Sequence, residues 1–278
     1  MKEKGISLLE MRQRNTRKVA ALFLAPVTIL LIVFILYPII DTFITSGYQW
    51  NGISSAKEFI GFENWKTLLT DKNFWIAFRN NLVIMVLSIV IQIPIGLALA
   101  TFLDFGGKKL TIFKVIWFVP LLMSSVAIGF LFTYALATNG GIVSTISGWF
   151  GGGNIDLLGN PKTALLTVII VICWQFTPFY MVYFMAAFTN IPYDVFEAAR
   201  IDGLGEFGIF TRVFMPTMKS TYAAAIIVTF MSSWNNYLWP LIALQSPEKR
   251  TLPLVLSAMG SSYTPDYGMM MAAVVMAT

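Results

Sequence analysis

The residue types behind most enzymatic chemistry are nearly missing from this chain. Its 278 residues include no histidine and a single cysteine, Cys173. Nucleophile–base pairs and metal centres therefore have little to be built from, and no metal site is expected. Gly151-Gly152-Gly153 lacks the Lys-Ser/Thr ending of a nucleotide-binding P-loop and reads as a turn. Two other patterns stand out. One is an acidic stretch between apolar runs, with Asp194, Glu197, Asp202 and Glu206 against Arg200 and Arg212. The other is a set of polar and aromatic side chains inside apolar runs: Ser233, Trp234, Asn235, Asn236 and Tyr237 in one, Trp174 and Gln175 in another. Amides, hydroxyls and aromatic faces together suit a neutral, hydroxyl-rich solute. The same residues also serve as glue between membrane helices or as belt residues at a bilayer surface.

The elements that carry these residues follow from composition. Apolar residues make up 57% of the chain and charged ones 12%, with mean hydropathy +0.72. An ordinary soluble domain has about twice that share of charge. The apolar residues cluster into runs of membrane-spanning length, near 19–40, 81–103, 113–137, 162–188 and 220–244, with a shorter one at 267–278. The first run has no small-x-small cleavage site after it and reads as an uncleaved helix. The fold class is thus all-α and polytopic, with six transmembrane helices expected, the sixth truncated in this chain. With the N-terminus inside, twelve Lys and Arg fall on inner segments and seven on outer ones, and the Lys108-Lys109 turn is the clearest element of that bias. The chain divides into a cytoplasmic segment 1–18 and a transmembrane domain 19–278. Its external loop 45–80 is rich in aromatics and contains a short amphipathic helix near Glu63 to Leu69.

The inner loop 189–219 is long and helical. Pro192 suits a helix start, Asp194 its first turn and Gly203 its end. Gly205 to Val213 reads as a second helix, stopped at Met215-Pro216. A lipid-bound hairpin would prefer bases on its polar face; this one is acidic, which favours a protein partner.

Glu197-Ala198-Ala199-x-x-Asp202-Gly203, followed by Val213-x-Met215-Pro216, resembles the EAA motif of ABC-importer permeases. Leu24-Ala25-Pro26 with Tyr37-Pro38, Phe59-Ile60-Gly61-Phe62-Glu63-Asn64-Trp65 and Trp117-Phe118-Val119-Pro120 are similar to the carbohydrate-uptake branch of that family. The early pieces look like one permease of a heterodimer. Trp234–Leu241 with Thr251-Leu252-Pro253 looks like the other.

The resemblance implies a type I importer permease fold in a prokaryotic inner or plasma membrane. It implies three protein partners: a second homologous permease subunit, a cytoplasmic ATPase dimer that holds ATP and Mg, and an external solute-binding protein. This chain itself would bind no cofactor and no nucleic acid and would not be an enzyme. Phe196, Glu197, Ala198, Ala199, Asp202, Gly203 and Pro216 would couple to the ATPase, with Phe196, Ala198 and Ala199 packing in its cleft and Glu197 pairing with one of its bases. The solute would pass Ser233 to Tyr237, Trp174 and Gln175. A stand-alone ion-coupled carrier is the other reading. It would want intramembrane acids, and the nearest is Asp41, at a span's end.

Overall fold

The computed structural model describes residues 8–106, 110–261 and 265–278. Lys108 and Lys109, and with them the clearest element of the charge bias, lie outside the described residues. The elements are α1 (Leu8–Leu31), a π turn (Ile32–Leu36), α2 (Tyr37–Thr45), β1 (Tyr48–Gln49), β2 (Glu58–Phe59), α3 (Glu63–Thr70), α4 (Lys72–Gly106), α5 (Thr111–Leu122), α6 (Ser125–Ala135), α7 (Ile142–Trp149), α8 (Ala164–Phe188), α9 (Tyr193–Ile201), α10 (Glu206–Ile209), a second π turn (Phe210–Phe214), α11 (Met215–Thr217), α12 (Lys219–Trp234), α13 (Leu238–Ala243), α14 (Leu252–Gly260) and α15 (Tyr267–Ala277). They form two compact units. One runs to Asp71 and takes in Ala258–Thr278; the other is Lys72–Ser257.

In the first unit a helix runs from Thr16 to Thr45 through the π turn, long and apolar enough to span a membrane. Pro38 cannot donate to the ladder and its ring crowds the carbonyl of Phe34. The widened turn at Ile32–Leu36 absorbs that conflict without breaking the helix. Phe23, Leu30 and Phe34 stand exposed on it, a surface for lipid or another membrane helix. The chain then forms a two-residue antiparallel pairing, Tyr48 opposite Phe59 and Gln49 opposite Glu58, and the expected short helix, α3. Asn64, buried, fastens α3 by donating to Ser46 O and Tyr48 O, each at 2.9 Å.

The second unit is built on α4 and α8. Pro94 in α4 and Pro178 in α8 are each accommodated inside a continuous helix. The two helices close on Gly96: a Cβ there would meet the Tyr180 Cβ and stand 3.1 Å from Met181 N. Small residues at such crossings let backbones approach. Gly96→Val is therefore expected to force the pair apart at a cost of about 1–3 kcal/mol, read as a lower temperature at which detergent-solubilised protein aggregates. Two apolar clusters lie at opposite ends of this pair. Ile84, Val168, Ile172, Trp239 and Leu254 belong to one; Ile93, Leu97, Tyr180, Phe184, Met218 and Ala225 belong to the other. Between them lie Ser88 and Gln92 of α4 with Cys173, Gln175 and Thr177 of α8, all buried.

The third expected span, 113–137, is not one straight helix. α5 and α6 meet at 97°. The first stops at Leu122, before an extended Met123, and the Ser124 hydroxyl starts the second by accepting from Ala127 N at 3.1 Å. The fifth span also bends, by 64°, where Phe210–Thr217 meets Lys219–Ala243 at Met218. The second helix expected over 205–213 is instead α10 running into the π turn and α11, beside Pro216. Phe74, one of the aromatics of the expected external loop 45–80, is fully buried.

Candidate functional site: the acidic hairpin and the broken fifth span

α9 begins after Pro192, whose ψ of 137° is extended, and carries Asp194 in its first turn and Arg200 in its last. Its end is a Schellman motif. Gly203 N donates to Arg200 O at 3.0 Å and Leu204 N to Ala199 O at 3.1 Å, with Gly203 at φ +77°. The glycine is dictated by this geometry, because a left-handed residue with a side chain is strained there. A Cβ on Gly203 would touch nothing, so the requirement is conformational and not steric.

The geometry sorts the motif residues into two faces. Asp194, Glu197, Ala198, Arg200, Asp202 and Gly203 are exposed; Ala199 is 5% exposed. Ala199 is thus buried within this chain while its neighbours Ala198 and Arg200 are exposed. The side chain of Phe196 lies outside the described residues. Two apolar side chains read from the sequence as contact residues of this helix are exposed: Val195 and Ile201, the latter 80% exposed. With Ala198 they follow the i, i+3, i+6 spacing of one helix face. Pro216 is exposed on α11.

Both ends of the hairpin are rooted in the unit's core. Ile191 on one side and Phe210 on the other pack against the Leu97–Phe184–Met218 cluster. Phe214 meets the Phe188 ring at 5.5 Å between centroids, and Ile209 is fully buried.

The polar residues of the fifth span do not converge on one spot. Ser233 is buried. Trp234 stacks on Phe230 at 5.7 Å and meets Phe78 edge-on. Asn235 donates to Met231 O of its own helix at 2.9 Å, acting as a cap. Tyr237 shares a hydrogen bond with Ser257 at 2.9 Å. Trp174 is partly exposed against Phe132, whereas its neighbour Gln175 is 4% exposed. The structure also supplies residues that the reading of the fourth and fifth spans passed over. Asn80 and Asn81 on α4 are buried; Asn80 donates to Glu248 O at 2.9 Å and Arg250 O at 3.1 Å, and Asn81 to Trp234 O at 3.2 Å. Asn81, Ser88 and Gln92 recur at i, i+7 and i+11, one face of one helix.

Residues 92–278 match the family model described as binding-protein-dependent transport system inner membrane component. The chain belongs to this family. It is a permease component of a transport system, a multi-pass membrane protein and not an enzyme. The lactose transport permease LacG of Rhizobium radiobacter is 41% identical over 122 residues, 44% of this chain and 45% of LacG; that aligned stretch is less than half of LacG. A probable ABC transporter permease, YurN of Bacillus subtilis, is 30% identical over 250 residues, 88% of this chain and 85% of that one. The fold matches that of a chain in a bacterial alginate ABC transporter crystallised with an alginate pentasaccharide-bound periplasmic protein. The TM-score is 0.80 at 21% identity, covering 97% of this chain and 91% of that chain. The permease fold expected from the EAA-like segment is thus the observed one.

Proposed function

We propose that this chain is one of two transmembrane permease subunits of an ATP-driven importer of a sugar or oligosaccharide. It works in a prokaryotic inner or plasma membrane, with its N-terminus and the 189–219 loop in the cytoplasm. A separate ATPase dimer holds ATP and Mg and grips α9; an external solute-binding protein delivers the solute. The observation that carries this reading is the acidic helix α9, exposed on the Glu197–Ile201–Asp202 side, locked at its C-terminus by Gly203 and rooted at both ends in the core. Such a piece moves as a unit. Pulled by a closing ATPase dimer, it would carry α8 and α12 with it, because Phe188, Ile191 and Phe210 pack on the cluster those helices share. ATP acts on the pathway only through the difference in how the two states dock.

The solute assignment draws on the chemistry of the pathway set and on the carbohydrates in the relatives' names. The pathway set, Ser233 to Tyr237 with Trp174 and Gln175, contains amides, hydroxyls and aromatic rings and no ionised side chain, matching a neutral sugar over an anionic one. The full assembly in proteoliposomes provides the test. Glu197→Lys is expected to reduce ATP-driven uptake about tenfold, the size of one lost charge-assisted contact at an interface. A cysteine placed at 197 is expected to react with an impermeant maleimide only from the cytoplasmic side. Undiminished uptake in Glu197→Lys, or labelling from outside, would sink this reading.

A further inference from the structure

The first unit contains a cavity of ≈ 230 Å³ at the end of the Thr16–Thr45 helix. Five aromatic rings form its walls: Phe43 from α2, Tyr48 and Phe59 from the paired strands, Phe62, and Trp65 from α3. They brace one another. Phe43 meets Trp65 edge-on at 6.1 Å between centroids, and Tyr48 meets Phe59 at 5.3 Å. Phe59 and Phe62 remain 71% and 76% exposed at the mouth.

Many of the polar atoms around this cavity are already engaged. Trp65 Nε1 donates to Ser46 Oγ at 3.0 Å, and that hydroxyl lies 2.6 Å from Phe43 O. Ser46 O and Tyr48 O accept from Asn64. Gly47 O accepts from Ile60 N and Gly61 N, and Gly47 N donates to Ile44 O. A sugar entering here would strip water from its hydroxyls and find few replacements. A protein loop would face the same penalty for its backbone. A hydrocarbon chain pays neither. The cavity is also continuous with the exposed apolar surface of a helix long enough to span a membrane: Phe43 and Ile44, which wall it, belong to that helix and stand about half exposed on it.

We propose that this cavity is an acyl-chain site, holding one tail of a bilayer phospholipid between α2, the strand pair and α3. The tail completes the packing of the segment 46–65 where the chain leaves the membrane. The inference is independent of which membrane face this segment occupies.

The full chain, reconstituted in vesicles of phosphatidylethanolamine and phosphatidylglycerol with a trace of phospholipid bearing a diazirine within its acyl chain, supplies the test. Irradiation, digestion and mass spectrometry should place cross-links on Phe43, Phe59, Phe62 and Trp65. Gly47 lines the cavity, and a Cβ on it would stand 3.4 Å from the Phe59 ring, so Gly47→Leu puts a side chain where the tail would lie. Cross-linking at the four aromatics should then fall about tenfold, as expected when roughly two methylenes of contact are lost. Labelling of Leu22–Phe34 on the same helix should not change, which also reports that the variant has folded. Phe62→Ala, which removes a wall without filling the space, should reduce the same cross-links. Leu69→Ala, on the same α3 but outside the cavity, should leave them alone. Labelling confined to the helix, equal labelling in Gly47→Leu, or protection of the four aromatics by a second protein chain would each overturn the proposal.

Discussion

Substitutions at Gly203 are expected to lower ATP-driven uptake in the order asparagine, alanine, valine, proline, with asparagine near the parent and proline close to inactive. The order follows from the backbone alone. Gly203 sits at φ +77° with no neighbour near a Cβ position. Asparagine tolerates the left-handed region. Alanine pays about 1–2 kcal/mol for it, and a β-branched valine pays more. Proline is fixed near φ −65° and has no N–H. It would therefore lose the bond from Gly203 N to Arg200 O and reverse the turn, at about 3 kcal/mol or more. The strain would be relieved by unwinding the last turn of α9, which moves Glu197 and Asp202 relative to each other without touching either. The measurement is uptake alongside ATP hydrolysis in the same proteoliposomes. A coupling defect shows as hydrolysis that no longer drives transport, in graded fashion along the series. A flat series, with valine equal to asparagine, would mean the Schellman end of α9 has no mechanical role.

Much of this was legible before any coordinates, because the signals are local. Runs of apolar residues, a proline at a helix start and a glycine at its end each act within one or two turns, and α8, α9 and α15 begin and end near where those cues place them. What could not be read depends on neighbours distant in sequence. Ala199 belongs to a contiguous motif, and only the fold shows that it is buried while Ala198 and Arg200 beside it are exposed. Phe74 lies among surface aromatics in sequence yet is buried. The start of α6 has a local cue in the Ser124 cap, but the 97° angle does not. The polar face of α4 was missed for another reason. Asn81, Ser88 and Gln92, with Asn80 beside the first, are spread over a long apolar helix, and the common orientation of those three shows only when counted at helical period.

That polar face explains how an irregular segment is held at the end of a membrane helix. Residues 244–251 follow α13 and include only a short 3₁₀ turn, Pro247–Lys249, so several backbone carbonyls there have no helical partner. Two of them, Glu248 O and Arg250 O, are met by the single amide of Asn80, 1% exposed. Its neighbour Asn81 meets Trp234 O, where α12 ends. Two consecutive amides on α4 thus fasten both the end of α12 and the segment 244–251.

Asn80 is accordingly the position where a small change should have the largest effect on the folded chain. Asn80→Ala removes both N–H donors and so two part-buried hydrogen bonds, costing about 0.5–1.5 kcal/mol for each. Asn80→Ser keeps one short donor and should do less harm. Asn80→Asp keeps the shape but offers oxygen lone pairs to two carbonyl oxygens, so it should do more harm than alanine although it is closer in size. The expected ranking of thermal stability is parent, serine, alanine, aspartate, measured as the temperature that halves the monodisperse peak of detergent-solubilised protein. Uptake should follow the same ranking, since a loosened 244–251 segment no longer fixes the end of the fifth span. Aspartate matching the parent would mean that shape alone holds this segment, and that the two amide bonds contribute nothing to it.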